Sequence, residues 1–351
     1  KKISILGSSG YGGMQLVRLL RNNPNYEIVN LCGQRTIGKY WNELFPFLKL
    51  RTDKIIEEIN LDKISDTSDY VFLSLPNGVA STIVPDLINK NVKILDLSAD
   101  YRYKSLNKWN QVYVSESTSL KRNDFQLCEQ AVYGLPEIYR NEIKKANIVS
   151  CPGCFPTASL LPLQPFLKQG LIETDGIIID AKTGTSGGGR IPKENLLLSE
   201  CSESISPYGV VGHRHTSEIE QIASAISGKD IQIQFTPHLV PMVRGILSTV
   251  YCRLRDPGLT AEDCRIILDT YYRNESFIDV LNVGIYPSTK WVRNTNKAFI
   301  SVQVDKRTSR LILMCVIDNL LKGQAGQAVQ NLNILSGLDE IFSLPEVTFF
   351  P

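Results

Sequence analysis

Apolar runs and amphipathic stretches alternate through the first 150 residues. Residues 3–6 (ISIL) form a short apolar run ending in GSSGYGG, and MQLVRLLRNNP follows with Met14, Leu16, Val17, Leu19 and Leu20 on a helical period before Pro24. That spacing predicts strand, glycine turn, helix and stop. Strand-like apolar runs recur at 27–32, 70–75 and 92–97, with a helical pattern over 77–90 between the last two. Buried strands separated by helices imply right-handed crossovers and a mostly parallel, doubly wound α/β sheet of Rossmann type. The stretch 101–147 is polar and irregular, and no element is assigned to it.

Beyond residue 150 the texture changes. FPTASLLPLQPFLKQ (155–169) reads as a helix that Pro162 and Pro165 should kink or break. Longer runs follow, GIIIDAKTG, DIQIQFTP, RGILSTVYCRL, AFISVQVDKR and SRLILMCVIDN, some of them alternating. They predict an α+β domain with a mainly antiparallel sheet covered on one face. The boundary is placed near Ser150, dividing a dinucleotide-binding domain over 1–150 from a catalytic, substrate and oligomerisation domain over 151–319. LLKGQAGQAVQNLNILSG (320–337) predicts a helix that, with the chain to 351, returns to the first domain.

Composition narrows the class. Of 351 residues 43% are hydrophobic, and 38 basic residues against 36 acidic ones leave a formal charge of +2. Near-neutral, intermixed charge gives no footprint for nucleic acid or an anionic membrane surface. No apolar run approaches the roughly 20 residues of a membrane span. A small metabolite is therefore the expected partner. KKISILG leads straight into a strand rather than a signal peptide, and eight cysteines without a dense framework predict reduced thiols in the cytoplasm. The chain starts without Met, which leaves a trimmed leader open.

Four features carry chemistry. Gly7, Gly10 and Gly13 follow the first strand and open the first helix, so backbone amides there could cradle a pyrophosphate at the positive end of the helix dipole. The plain alternative is a tight turn. An NAD site usually carries Asp or Glu at the end of the second strand; here CGQRT (32–36) has none and offers Arg35, which favours NADP through its 2′-phosphate. In CPGCFPT (151–157), Cys154 stands where a turn enters a helix, a place that favours a thiolate nucleophile. A redox dithiol, a zinc site and an inert buried cysteine are the rivals, and zinc lacks further ligands at suitable spacing. His213 and His215 in GHRHTSEIEQ precede a helix that Thr216 or Ser217 could cap, and they suit acid/base work beside a catalytic cysteine better than metal binding. Finally, TGTSGGGR (183–190) with Arg190, together with Arg102 in DLSADYR and Arg244 in PMVRG, are candidate receptors for a substrate carboxylate or phosphate.

Taken in order, GSSGYGG, FLSLPNG, LDLSADYR, VYGLPE, CPGCFPT, SGGGR, GHRHTSEIEQ and KGQAGQAVQNLN resemble the motifs of the N-acetyl-gamma-glutamyl-phosphate reductase family, relatives of aspartate-semialdehyde dehydrogenase. The resemblance spans almost the whole chain. It implies NADPH-dependent reduction of an acyl phosphate in arginine biosynthesis, through a thioester on Cys154 with the HRH histidines as the acid/base region. It also implies a homodimer or homotetramer. The expected cofactor contacts are Gly7, Ser9, Gly10, Tyr11, Gly12, Gly13, Arg35, Ser74, Pro76, Gly78, Gly187, Gly323 and Gly326; no metal is expected. The chain departs from the family pattern at Cys151 (usually Asn), Gly188 and Gln324 (usually Ala) and Ser217 (usually Pro), none of which removes a catalytic group. Cys151 places a second thiol three residues from the expected nucleophile, where an inactivating disulfide is conceivable. Two other readings stay open: a reductase of an aspartyl or aminoadipyl phosphate, and a dinucleotide sensor without catalysis.

Overall fold

A computed structural model describes residues 1–114, 122 and 124–349. The described residues form two compact units: Lys1–Pro152 with Gln324–Leu344, and Gly153–Gly323 with the chain from Pro345.

The first unit holds seven strands: β1 (Lys2–Leu6), β2 (Glu27–Cys32), β3 (Ile56–Glu57), β4 (Tyr70–Leu73), β5 (Lys93–Asp96), β6 (Val132–Tyr133) and β7 (Ile148–Ser150). Their order is β3-β2-β1-β4-β5-β7-β6, and every pairing is parallel. Strands β1, β4 and β5 are buried almost throughout, as the continuous apolar runs require of a sheet covered on both faces. After β1 the chain builds β2 and β3 to one side and then crosses to β4 on the other. The topological switch point therefore lies at the carboxyl ends of β1 and β4, where doubly wound sheets bind ligands. Helix α1 (Tyr11–Leu20) follows the glycine turn directly.

Residues 115–121 and 123 lie outside the described residues, and the described part of the stretch 101–147 is more regular than its composition suggests. Helices Leu106–Tyr113, Phe125–Gln130 and Pro136–Ile143 lie within it. Ser105 caps the first of them, and Trp109 is buried beneath the Arg122 guanidinium, 4.4 Å from the ring centroid. The first two helices bury one residue each, Trp109 and Cys128, and the third buries Pro136, Glu137 and Ile143, so no long apolar stripe marks them for a periodicity reading.

The second unit contains α2 (Cys154–Lys168), α3 (His215–Ser227) and the strands β8 (Ile177–Thr183), β9 (Ser206–Pro207), β10 (Ile233–Leu239), β11 (Ile246–Arg253), β12 (Ile278–Val280), β13 (Ala298–Asp305) and β14 (Arg310–Ile317). The order is β12-β13-β14-β11-β8-β10-β9. Pairings β8–β10 and β12–β13 are parallel and the other four antiparallel. Helix α2 runs unbroken through Pro162 and Pro165, against the expectation of a kink. The amide that Pro165 lacks would have reached the carbonyl of Leu161; the buried Tyr272 hydroxyl donates to that carbonyl instead, at 2.5 Å. Helix α3 starts at His215 itself, with Arg214 rather than Thr216 or Ser217 at the cap position and no side-chain cap from it. A π-helical turn, Leu321–Ala325, leads into α4 (Gly326–Ser336), which belongs to the first unit and is buried along nearly its whole length.

Candidate active site

In the first unit, the glycine turn is shaped to bring backbone close to an anion. Gly7 has φ +81° and lies so close to the loop after β4 that a Cβ would stand 2.1 Å from the Ser74 carbonyl oxygen. Gly10 is the cap residue of α1 and uses no side chain, so the amides of Tyr11, Gly12 and Gly13 that open the helix have no side-chain acceptor. Gly12 faces the Ser74 hydroxyl and the Gln324 side chain, Gly13 packs back on Gly7 and Ser8, and Ser9 lies near Gly33. Arg35 is exposed just past β2.

The loop after β4, carrying Ser74, Pro76 and Gly78, is clasped by the turn after β5. Asp100 accepts from the amides of Gly78 at 2.6 Å and Ser81 at 3.0 Å, while the Asn77 side chain accepts from the Ala99 amide at 3.2 Å. Burial raises the Asp100 carboxyl against the pull of those two amides. Neighbouring Asp96 is fully buried and is pushed up to about 7, first by burial and then by the charge of Asp100. The clasp is invisible in a periodicity reading, although DLSAD after an apolar run signals an Asx-rich turn. Arg102 donates through Nε to the Cys151 carbonyl at 2.9 Å. Cys151 is itself fully buried, its thiol pushed up to about 12 by burial and then by Asp96, and no two of the cysteines form a disulfide. This is the environment of an inert thiol. Gly326 is the first residue of α4.

In the second unit, two helix starts converge. Cys154 is the first residue of α2 and only partly buried; His215 is the first residue of α3. His215 lies directly on Gly153, where a Cβ would stand 2.5 Å from Nε2, so only glycine lets the imidazole reach this depth beside the cysteine. Glu218, fully buried on the first turn of α3, accepts from the Gly153 amide at 2.8 Å and ties the turn before Cys154 to that helix. The positive end of the α2 dipole favours a thiolate at Cys154.

The two histidines are not equivalent. His213 Nδ1 accepts from the His215 amide at 3.1 Å, and its ring is boxed edge-on by Phe155, Tyr208 and Phe235. Burial, then the Arg214 charge, lowers His213 to about 4, so it is neutral and holds the start of α3. Tyr208, whose hydroxyl is pushed up by burial and then by the charge at Cys154, faces the same corner. Neither Glu218 nor Tyr208 stood out in the sequence. A glutamate at the head of a helix reads as a dipole partner, and only the fold brings it to Gly153.

The arginines differ as well. Arg244 is mostly buried and paired with Asp318 at 2.8 Å, whereas Arg190 is exposed at the end of the glycine loop. Gly187 lies in the 3-10 turn Thr185–Gly188, and Gly323 packs on Cys154.

Two family models match the chain. One, described as semialdehyde dehydrogenase, NAD binding domain, covers residues 2–146, and the other, semialdehyde dehydrogenase, dimerisation domain, covers 154–319. A curated N-acetyl-gamma-glutamyl-phosphate reductase of Prochlorococcus marinus (strain NATL1A) is 64% identical over 350 residues, 100% of this chain and 98% of its own. One of the same name from Parasynechococcus marenigrum (strain WH8102) is 57% identical over 350 residues, with the same coverage. Among solved structures, aspartate semialdehyde dehydrogenase II of Vibrio cholerae complexed with ASA superposes with a TM-score of 0.73 at 17% identity, over 96% of this chain and 98% of its own. The Candida albicans aspartate semialdehyde dehydrogenase with NADP gives 0.70 at 17% identity, over 96% and 98%. At such identity the structural likeness establishes the fold alone.

Proposed function

The chain belongs to the N-acetyl-gamma-glutamyl-phosphate reductase family, and we propose that it reduces N-acetyl-gamma-glutamyl phosphate to the semialdehyde and phosphate, with Cys154 as nucleophile and His215 as acid/base. The observation that carries the reading is the meeting of two helix starts, with His215 seated on Gly153 beside Cys154. The Cys154 thiolate attacks the γ-carbonyl carbon, a C–S bond forms, the bond to the phosphate oxygen breaks, and a thioester remains. Amides of the first turn of α2 would receive the oxyanion, as the Gly153 amide is taken by Glu218. NADPH, when bound, supplies hydride to the thioester carbonyl. His215 gives a proton to the oxygen as the thiohemiacetal forms and takes it back as the C–S bond breaks and the thiolate is expelled. His213 keeps His215 in place, and Glu218 keeps Gly153 in place.

The residues of the first unit fit the dinucleotide. The uncapped amides of Tyr11, Gly12 and Gly13 suit its pyrophosphate, and the clasped loop of Ser74, Pro76 and Gly78 borders the same turn. NADP rather than NAD is favoured by the absence of a carboxylate after β2 and the exposed Arg35 guanidinium. Arg102, Arg190 and Arg244 are offered for the substrate's carboxylate and phosphate. A homodimer or homotetramer fits the exposed Leu198, Ile205 and Val211 of the second unit. Cysteines that form no disulfide fit a cytoplasmic setting.

The test is NADP⁺ reduction with N-acetylglutamate semialdehyde, with and without phosphate, for the wild type, Cys154→Ala and Cys151→Ala. Phosphate-dependent NADPH formation lost only with Cys154→Ala is expected. No turnover in a protein that still binds NADP would send the function to another acyl phosphate or to a silent sensor.

A further inference from the structure

Asp318 and Asn319, which the reaction as written leaves unused, are both buried just past β14. Asp318 Oδ1 accepts from Arg244 Nη2 at 2.8 Å and Nε at 3.3 Å, and from the amides of Leu320 at 2.9 Å and Leu321 at 3.2 Å. Its Oδ2 accepts from the Asn294 amide at 2.6 Å. Its backbone carbonyl receives the Gly323 amide at 3.0 Å, and Gly323 lies against the nucleophile: a Cβ there would stand 2.8 Å from Cys154 Cβ. Asn319 works on the other side. Its Oδ1 accepts from the Gly245 amide at 2.8 Å, next to Arg244, and its Nδ2 donates to the Ser186 hydroxyl at 2.9 Å, inside the Thr185–Gly188 turn.

One dipeptide of the second unit thus grips an arginine, a glycine-rich turn and the residue packed on Cys154. A guanidinium serving only as a buried counter-ion would spend its whole fork on protein acceptors. Asp318 takes only the Nε and Nη2 side, and Nη1 bonds to none of the described residues. We propose that Asp318 and Asn319 are positioning residues for the substrate's anionic groups: Asp318 aims the Arg244 guanidinium and Asn319 the amides of the Thr185–Gly188 turn, both registered to Cys154. The acyl carbon is then presented to the thiolate by charge contacts made elsewhere on the substrate, the arrangement in which small misplacements are costly. This rests on the reading of Arg244 as a substrate contact.

The experiment is chemical rescue in the full chain. Arg244→Ala is assayed for phosphate-dependent NADP⁺ reduction with N-acetylglutamate semialdehyde, with and without millimolar guanidinium chloride. Its kcat/KM for the semialdehyde is expected to fall about 100-fold, mostly through KM. The KM for NADP⁺ stays unchanged, and guanidinium restores much of the loss. In Arg244→Ala/Asp318→Asn the rescue disappears, because the free guanidinium has no seat; equal rescue in both overturns the role of Asp318. Undiminished kcat/KM in Arg244→Ala removes the Arg244 reading and the proposal with it, while Cys154-dependent turnover stands. Asn319→Asp, which keeps an acceptor for Gly245 and loses the donor to Ser186, decides the case if the double variant does not fold. A several-fold rise in KM for the semialdehyde alone is expected, and an unchanged KM overturns the proposal.

Discussion

His213 and His215 are two residues apart and do different work, and the difference is set by what touches each ring. His215 lies on Gly153, the residue before the nucleophile; His213 spends Nδ1 on the His215 amide and is enclosed by three aromatic rings. His215→Asn should therefore lower kcat by about 10²–10⁴-fold, the range of a lost general acid/base. His213→Asn, whose amide oxygen can still accept from residue 215, should cost far less. Steady-state rates of the two variants check this, and a reversed order would move the acid/base role to His213. The lowered His213 also makes a pH claim. Between its ordinary value near 6.5 and about 4, the unfolded chain binds a proton that the folded chain refuses. Stability from this group is thus full above about 6.5 and is lost as the pH falls toward 4. The loss is at most about 3 kcal/mol, and less in practice because the ring is only partly buried. Urea unfolding from pH 7 to pH 4 should show a shallower acid loss for His213→Asn than for the wild type. The sequence displayed the HRH pair but could not divide its labour, because Phe155, Tyr208 and Phe235 come from three separate segments.

Elements were legible where one periodicity ran long enough and illegible where a distant side chain decided the outcome. Strands β1, β4 and β5 announce themselves as apolar runs, and the glycine turn follows β1 as its spacing predicts. Helix α2 shows the opposite case. Its two internal prolines argue for a break, yet the helix continues because Tyr272, more than a hundred residues later, supplies the missing bond at Leu161. The consequence is a coupled pair. Tyr272→Phe strands a buried carbonyl and should cost about 1–3 kcal/mol. In a Pro165→Ala background the restored amide can serve Leu161, so the same substitution should cost clearly less. A double-mutant cycle by denaturant unfolding measures the difference; additive costs would show that the hydroxyl contributes nothing to the helix.

At the scale of the whole molecule, the first unit is built from both ends of the chain. Helix α4 is buried from Gly326 to Leu335, and Gln327 and Asn331 both donate to the Gly134 carbonyl, at 3.2 and 2.9 Å. The Tyr26 hydroxyl reaches Asn333, and Arg140 pairs with Glu340. Ala328, Val329, Leu332, Ile334 and Leu335 together bury apolar surface worth roughly 5–10 kcal/mol, as much as the net stability of an ordinary domain. Completing the first unit therefore requires residues 324–344, which are synthesised after the second unit. Such long-range closure slows folding and lengthens the exposure of apolar faces. A chain ending at Gly323 should accordingly aggregate or, if kept soluble, show no thermal stabilisation by NADP, although Cys154, His215 and Glu218 all remain in it. The full chain should regain NADP-dependent stabilisation on refolding only at the rate at which residues 324–344 dock. A truncated protein that binds NADP as well as the full chain would show that α4 is a covering element and that the glycine turn is complete without it.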